Sequence, residues 1–151
     1  IPDNLVACVQ SCVDAIDHVM KKGEFVIDSG DEIYSEYLNN LCLSGQKGIG
    51  NAFMKWVHDN RWSLPDSDRV AISKNGDSYD EFPVHDGLVN FDKSDRKFVA
   101  AANAHPAKPP ILQSTDSKWW GWKDALNDVG ITVHFLCPEY VETKYAEKIG
   151  A

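Results

Sequence analysis

The stretch 90–122, NFDKSDRKFVAAANAHPAKPPILQSTDSKWWGW, constrains the fold more than any other part of this chain. Asp92 and Asp95 stand where an apolar-faced helix begins, and Asp116 stands just past a short apolar run that follows a pair of prolines. An acid at a helix start and an acid at a strand end fall on one edge of a sheet, the edge at which open α/β folds bind ligands. Carboxylates gathered there point to a hard divalent cation.

The rest of the chain supplies the alternation such a fold needs. Leu5, Val6, Val9, Val13, Ile16, Val19 and Met20 recur at helical spacing, with Asp3 as candidate N-cap and Lys21, Lys22 and Gly23 at the C-terminal end. Phe25, Val26 and Ile27 read as a buried strand closed by the turn 28–31. A second helix carries Ile33, Tyr37, Leu38 and Leu41 on one face. Gly45, Gly48 and Gly50 mark a loop without the Lys-Ser/Thr of a phosphate-binding loop, ahead of a third helix with Phe53, Trp56 and Val57. Residues 70–73 read as an edge strand and 74–90 as polar and turn-rich. A helix over about 95–104, a strand over 111–114, a helix over about 119–129 closed by Gly130, and a strand over 131–136 follow. The charged stretch 138–151 reads as a short helix or a loose tail. Strands alternating with helices imply one α/β domain over 1–151, with a mainly parallel sheet and right-handed crossovers.

With 151 residues, 43% of them hydrophobic, the chain can bury a core without covalent staples. Fifteen Lys and Arg against 23 Asp and Glu give a net charge of −8, which argues against a general electrostatic grip on nucleic acid and leaves only local contacts. Cys8, Cys12, Cys42 and Cys137 lack zinc-site spacing, and Cys8 and Cys12 are one helical turn apart, where a disulfide is strained. Reduced thiols and a cytoplasmic location are the expectation. No apolar run approaches the roughly 18–20 residues that span a bilayer, so no membrane contact is expected.

Glu36, Asp95 and Asp116 are the candidate catalytic and metal-holding residues, with Asp92 beside them. Mg2+ or Mn2+ takes carboxylate oxygens and keeps waters; there it neutralises carboxylate repulsion, orients a water and stabilises charge on a phosphoryl oxygen. A plainer role competes, since aspartate is common at helix starts as a cap or dipole partner, and Asp92 or Ser94 fits that description. Trp119 and Trp122, three apart, suit stacking on unpaired bases, with Arg96, Lys97, Lys118 and Lys123 as a basic rim. Tryptophans at helical spacing more often pack in a core. The five histidines show neither Ser-His-Asp order nor HExxH spacing and receive no role.

The segments FVIDSGDEIYSEYLNNL, GQKGIGNAFMKWVHDN, FDKSDRKFVAAANAHP, ILQSTDSKWWGW and GITVHFLCPE resemble a bacterial branch of the PIN-domain ribonucleases, over about 8–139. That resemblance implies a Rossmann-like three-layer α/β/α sandwich and metal-dependent endonucleolytic cleavage of single-stranded or structured RNA. It places the family's second acid on Glu36, the third on Asp95 with Asp92 assisting, and the fourth on Asp116. Arg96, Lys97, Lys118 and Trp119 are then the candidate substrate contacts. The family's usual opening, a short apolar strand ending in Asp and followed by a pair such as Thr-Asn, has no counterpart before the first helix. Asp28 is followed by Ser29-Gly30-Asp31, a poor match, so an apolar segment upstream of Ile1 is expected to complete the sheet and the site. The alternative is a non-catalytic module of this fold that binds RNA or a protein. An inhibitory or effector protein and a second copy of the chain are the candidate protein partners. A phosphoryl-accepting receiver domain is a weaker match, lacking an acidic pair after the first strand.

Overall fold

The structure, a computed structural model, describes residues 3–40 and 48–150, and side chains within 5–39 and 50–150. Leu41, Cys42 and Gly45, and the capping role expected of Asp3, lie outside the described residues. Helix α1 (Asp3–Lys22) ends where Gly23, at φ 68°, donates its N–H to Val19 O at 2.8 Å, a left-handed cap that only glycine adopts without strain. Its Ile16, Val19 and Met20 pack on the first core, whereas Val6 and Val9, expected on the same face, are exposed and Cys8 is buried instead.

Strand β1 (Ile27–Asp28) pairs in parallel with β2 (Arg69–Val70), Ile27 opposite Arg69 and Asp28 opposite Val70. Helices α2 (Glu32–Asn40) and α3 (Gly48–Asn60) cover this pair with Ile33, Tyr34, Phe53, Met54 and Val57. Two details differ from the periodicity reading. Leu38 is exposed and Tyr34 occupies the core in its place, and Gly48 and Gly50 belong to the first turn of α3 rather than to a loop.

The turn-rich segment contains an antiparallel hairpin, β3 (Lys74–Asn75) with β4 (Ser78–Tyr79). Gly76 at φ 61° opens its two-residue loop, a position that favours glycine. After it come α4 (Arg96–Ala104), β5 (Ile111–Gln113), α5 (Lys118–Asp128) and β6 (Val133–Phe135). Strands β5 and β6 are parallel, Ile111 opposite Val133. Helix α4 is the wall shared by two cores: Ala101 packs with Ile27 and Val70, and Val99 and Ala102 pack with Leu88, Phe91, Trp119 and Ile131. Alanines there let the backbone lie close to both. The charged C-terminal stretch forms α6 (Pro138–Ile149), with proline in its first turn and Val141 buried. Its Tyr145 ring lies over Gly121, where a Cβ would come within 2.6 Å of the ring.

The fold is therefore mixed α/β, with six α-helices, two short parallel strand pairs and one hairpin among the described residues. In place of one continuous sheet, these strands form three separate two-stranded ladders of two or three residues per strand, so few ladder hydrogen bonds join them. The reduced-thiol expectation is also corrected. Cys8 and Cys137 form a disulfide tying α1 to the start of α6, a pairing across 129 residues that a spacing argument limited to neighbouring cysteines does not reach. No helix among the described residues is long and apolar enough to cross a membrane.

Candidate metal centre

The loop before α4 and the loop before α5 bring Asp92, Asp95 and Asp116 together around Lys118. Asp92 caps the short 3-10 turn Lys93–Asp95: Oδ1 accepts from Ser94 N at 3.2 Å and from Ser94 Oγ at 2.9 Å. Its Oδ2 accepts from Lys118 Nζ at 2.6 Å. Asp116 likewise caps α5, accepting from Lys118 N at 3.1 Å. For Asp92 the capping role foreseen for acids at helix starts is present.

Asp95 differs. It stands at the N-cap position of α4, yet its carboxylate makes no capping hydrogen bond. It accepts instead from the indole Nε1 of Trp119, at a long 3.3 Å. Burial raises its pKa, the Trp119 hydrogen bond opposes that rise, and the charges of Asp92 and Asp116 add to it. Asp92 moves the other way, held below the usual carboxylate range first by Lys118 and then by Ser94. Lys118, hydrogen-bonded to Asp92 and facing the charges of Asp116 and Asp95, is raised. Three carboxylates and one ammonium leave the cluster at 1 − 3 = −2 when all are ionised, the charge that one divalent cation neutralises.

Glu36 is not part of this group. It pairs with Lys97 of α4 at 3.1 Å and shares its surroundings with Asp28, Glu32 and Tyr79. Burial and those three carboxylates together push the Tyr79 hydroxyl up to about 12. Asp28, at the end of β1, is 1% exposed, and its two oxygens accept from Glu32 N and Ile33 N, each at 2.9 Å. This buried acid is fully used as the cap of α2. Asp28, which the sequence offers only as a poor match to the family's opening acid, and Glu32, which it does not single out, thus form a second acidic group with Glu36 around Tyr79.

The substrate contacts expected on α4 and α5 need correction. Trp119 is 1% exposed and packs edge-on against Phe91 with ring centres 5.0 Å apart, so its faces are closed to a base. The Arg96 guanidinium donates to Phe91 O and Val89 O and lies over the Phe82 ring, clamping the loop that leads to Asp92. The Lys97 side chain is 15% exposed and committed to Glu36. Lys118 remains half exposed, and Lys74 and Lys93 are largely exposed at an open recess of about 250 Å3 lined also by Glu32, Asp77, Tyr79, Ser94 and Lys97, Lys74 pairing with Glu32 at 3.8 Å and Lys93 with Asp77 at 3.1 Å. That recess borders the Asp92–Asp95 turn through Lys93 and Ser94.

A pH dependence follows from Asp95. Because its folded pKa lies above the ordinary 3.8, the native state holds the proton more tightly than the unfolded chain. Its ionisation therefore removes stability as pH rises from 3.8 through the higher folded value, and the penalty is complete at neutral pH. Metal-free Asp95→Asn protein is expected to melt higher than wild type at pH 7, with the gap closing below the ordinary aspartate range. A gap that persists in acid, or the opposite sign at neutral pH, contradicts this assignment.

No family model matches the chain, and neither a curated protein nor a solved structure does.

Proposed function

We propose that the chain is a PIN-like endoribonuclease that cleaves RNA phosphodiesters with Mg2+ or Mn2+ held at Asp95 and Asp116, Asp92 assisting. The observation that carries this reading is Asp95: a half-buried carboxylate that caps nothing, sits against two other carboxylates, and is pushed up in pKa by both burial and their charge. Three carboxylates sharing one ammonium in such a setting cost stability, and sites of this kind are often functional. The donor type suits the ion, since carboxylates are hard oxygen ligands, but oxygens of Asp92, Asp95 and Asp116 do not all lie within 4.8 Å of one another, so binding draws the three side chains closer. When bound, the ion supplies charge neutralisation and polarisation of a phosphoryl oxygen.

The chain's own groups have separate tasks. Asp95, whose metal-free carboxyl is raised mainly by burial, would hold the ion with Asp116, and a cation there would favour its ionised form. The Lys118 ammonium, steered by Asp92, faces a non-bridging phosphate oxygen or the departing oxygen. Lys74 and Lys93 at the neighbouring recess take up backbone phosphates in place of Arg96, Lys97 and Trp119. Glu36 acts through Lys97, two residues along α4 from Asp95. In this reading the two parallel pairs belong to one sheet of a three-layer sandwich.

A second reading rests on Lys118. Its 2.6 Å pairing with Asp92, together with the capping by Asp92 and Asp116, also suits a non-catalytic module in which an ammonium is the permanent counter-ion. Incubation of single-stranded RNA with the protein and Mn2+ separates the two. Cleavage by wild type and not by Asp95→Asn or Asp116→Asn supports the nuclease, and intact RNA with folded wild-type protein supports the module.

A further inference from the structure

The Sγ atoms of Cys8, Cys12 and Cys137 lie within 4.8 Å of one another, far from the aspartates in sequence and independent of them in chemistry. Cys8 and Cys12 are four residues apart on α1, so their side chains leave the same face of the helix one turn apart. Cys137 is the residue that starts α6, at the end where a helix favours negative charge and stabilises a thiolate. Cys8 and Cys137 are buried, and the Cys12 thiol, half-buried, lies 3.9 Å from Cys137 Sγ.

We propose that, once the Cys8–Cys137 disulfide is reduced, the three sulfurs form a binding site for a thiophilic cation of the Zn2+ class, so that a metal and the disulfide compete for the same atoms. Geometry is the first support. Tetrahedral zinc with Zn–S bonds of about 2.3 Å sets its sulfurs roughly 3.8 Å apart, and Cys12 and Cys137 already stand at 3.9 Å. Chemistry is the second: thiolate sulfur selects soft and borderline cations over Mg2+ or Mn2+, so this site and the aspartate cluster take different ions. The burial difference is the third, because half-buried Cys12 leaves a solvent-facing side on which water fills the fourth position. Either occupant, disulfide or metal, staples α1 to α6, and the prevailing redox conditions decide which.

The balance is simple. A water-soluble phosphine cleaves the S–S bond to give two thiols and leaves as phosphine oxide, its oxygen drawn from water. Metal binding then breaks three S–H bonds, releases three protons and forms three metal–sulfur bonds.

The probe is Cd2+, whose bonds to thiolates absorb in the ultraviolet, added to reduced and to oxidised full-length protein. Reduced wild type is expected to take up one Cd2+ with that absorption, and oxidised wild type none. Cys12→Ser keeps the disulfide pair, so it should fold and bind at least about 100-fold more weakly, given that even a second-shell partner is worth about 10–100-fold. Alkylation followed by mass measurement gives a count that does not depend on any variant folding: Cd2+ should protect three thiols of the reduced wild type. Absence of charge-transfer absorption in the reduced protein, unchanged binding in Cys12→Ser, or protection of fewer than three thiols overturns the proposal. None of these outcomes bears on the Mn2+ chemistry of the aspartates.

Discussion

Asp95→Asn is expected to abolish Mn2+-dependent RNA cleavage while raising the melting temperature of the metal-free protein. Both effects come from one charge. Asparagine keeps the shape of the side chain and can still accept from Trp119 Nε1, so the packing around Phe91 and Trp119 is preserved. The lost carboxylate removes a charged metal ligand. Losing several kcal/mol of transition-state stabilisation corresponds to a rate loss on the order of 10²- to 10³-fold or more, at about 1.4 kcal/mol per tenfold. The gain in stability comes from removing a half-buried negative charge that Asp92 and Asp116 repel. Activity and stability moving in opposite directions is the signature of a site that carries strain for function. A variant that keeps wild-type cleavage, or that loses activity together with stability, contradicts the assignment.

Trp119→Ala is expected to be among the most destabilising single substitutions in the chain. Trp119 is 1% exposed and belongs to the core formed with Leu88, Phe91, Val99, Leu126 and Ile131. Truncating a buried tryptophan costs about 3–5 kcal/mol, a large part of the 5–15 kcal/mol that holds most domains together. For a chain of this length that is roughly 6–20 °C in Tm, read by thermal melting. An exposed tryptophan used for stacking on RNA would give a change within about 0.5 kcal/mol, and that result would return Trp119 to the substrate surface. Trp119→Phe should keep much of the packing on Phe91 and lose the hydrogen bond to Asp95, which separates the packing role of the ring from its polar contact.

Long elements with a clear apolar period were legible in the sequence. Helices α1, α4 and α5 and strands β5 and β6 fall within a few residues of the expected spans, because their apolar faces repeat over several turns or bounded runs. What escaped was short or long-range. The β3–β4 hairpin has two residues per strand, too few for a period of two, and only Asn75-Gly76 betrays it. Helix α6 is charged and owes its place to Val141, to Tyr145 over Gly121 and to the disulfide, all contacts with distant residues. In the site, the rule that strand ends and helix starts share an edge brought out Asp92, Asp95 and Asp116. It could not say which carboxylate is free of a capping duty. Nor could it find the Lys118–Asp92 and Lys97–Glu36 pairs, which span 26 and 61 residues. Glu36 was grouped with the aspartates on spacing and resemblance, and the structure gives it to Lys97 instead.

The most direct measurement of the central claim is the thermal melting of wild type and Asp95→Asn with and without Mn2+, after exhaustive chelation. With Mn2+ at a hundred times its Kd, wild type should gain about 2.7 kcal/mol, or roughly 5–11 °C, because the carboxylate cluster exists only in the folded state. The variant, already more stable without metal, should shift far less at the same Mn2+ concentration. A wild-type Tm unmoved by Mn2+, or equal shifts in the two proteins, would contradict a divalent cation at Asp95 and leave Lys118 as the cluster's own counter-ion.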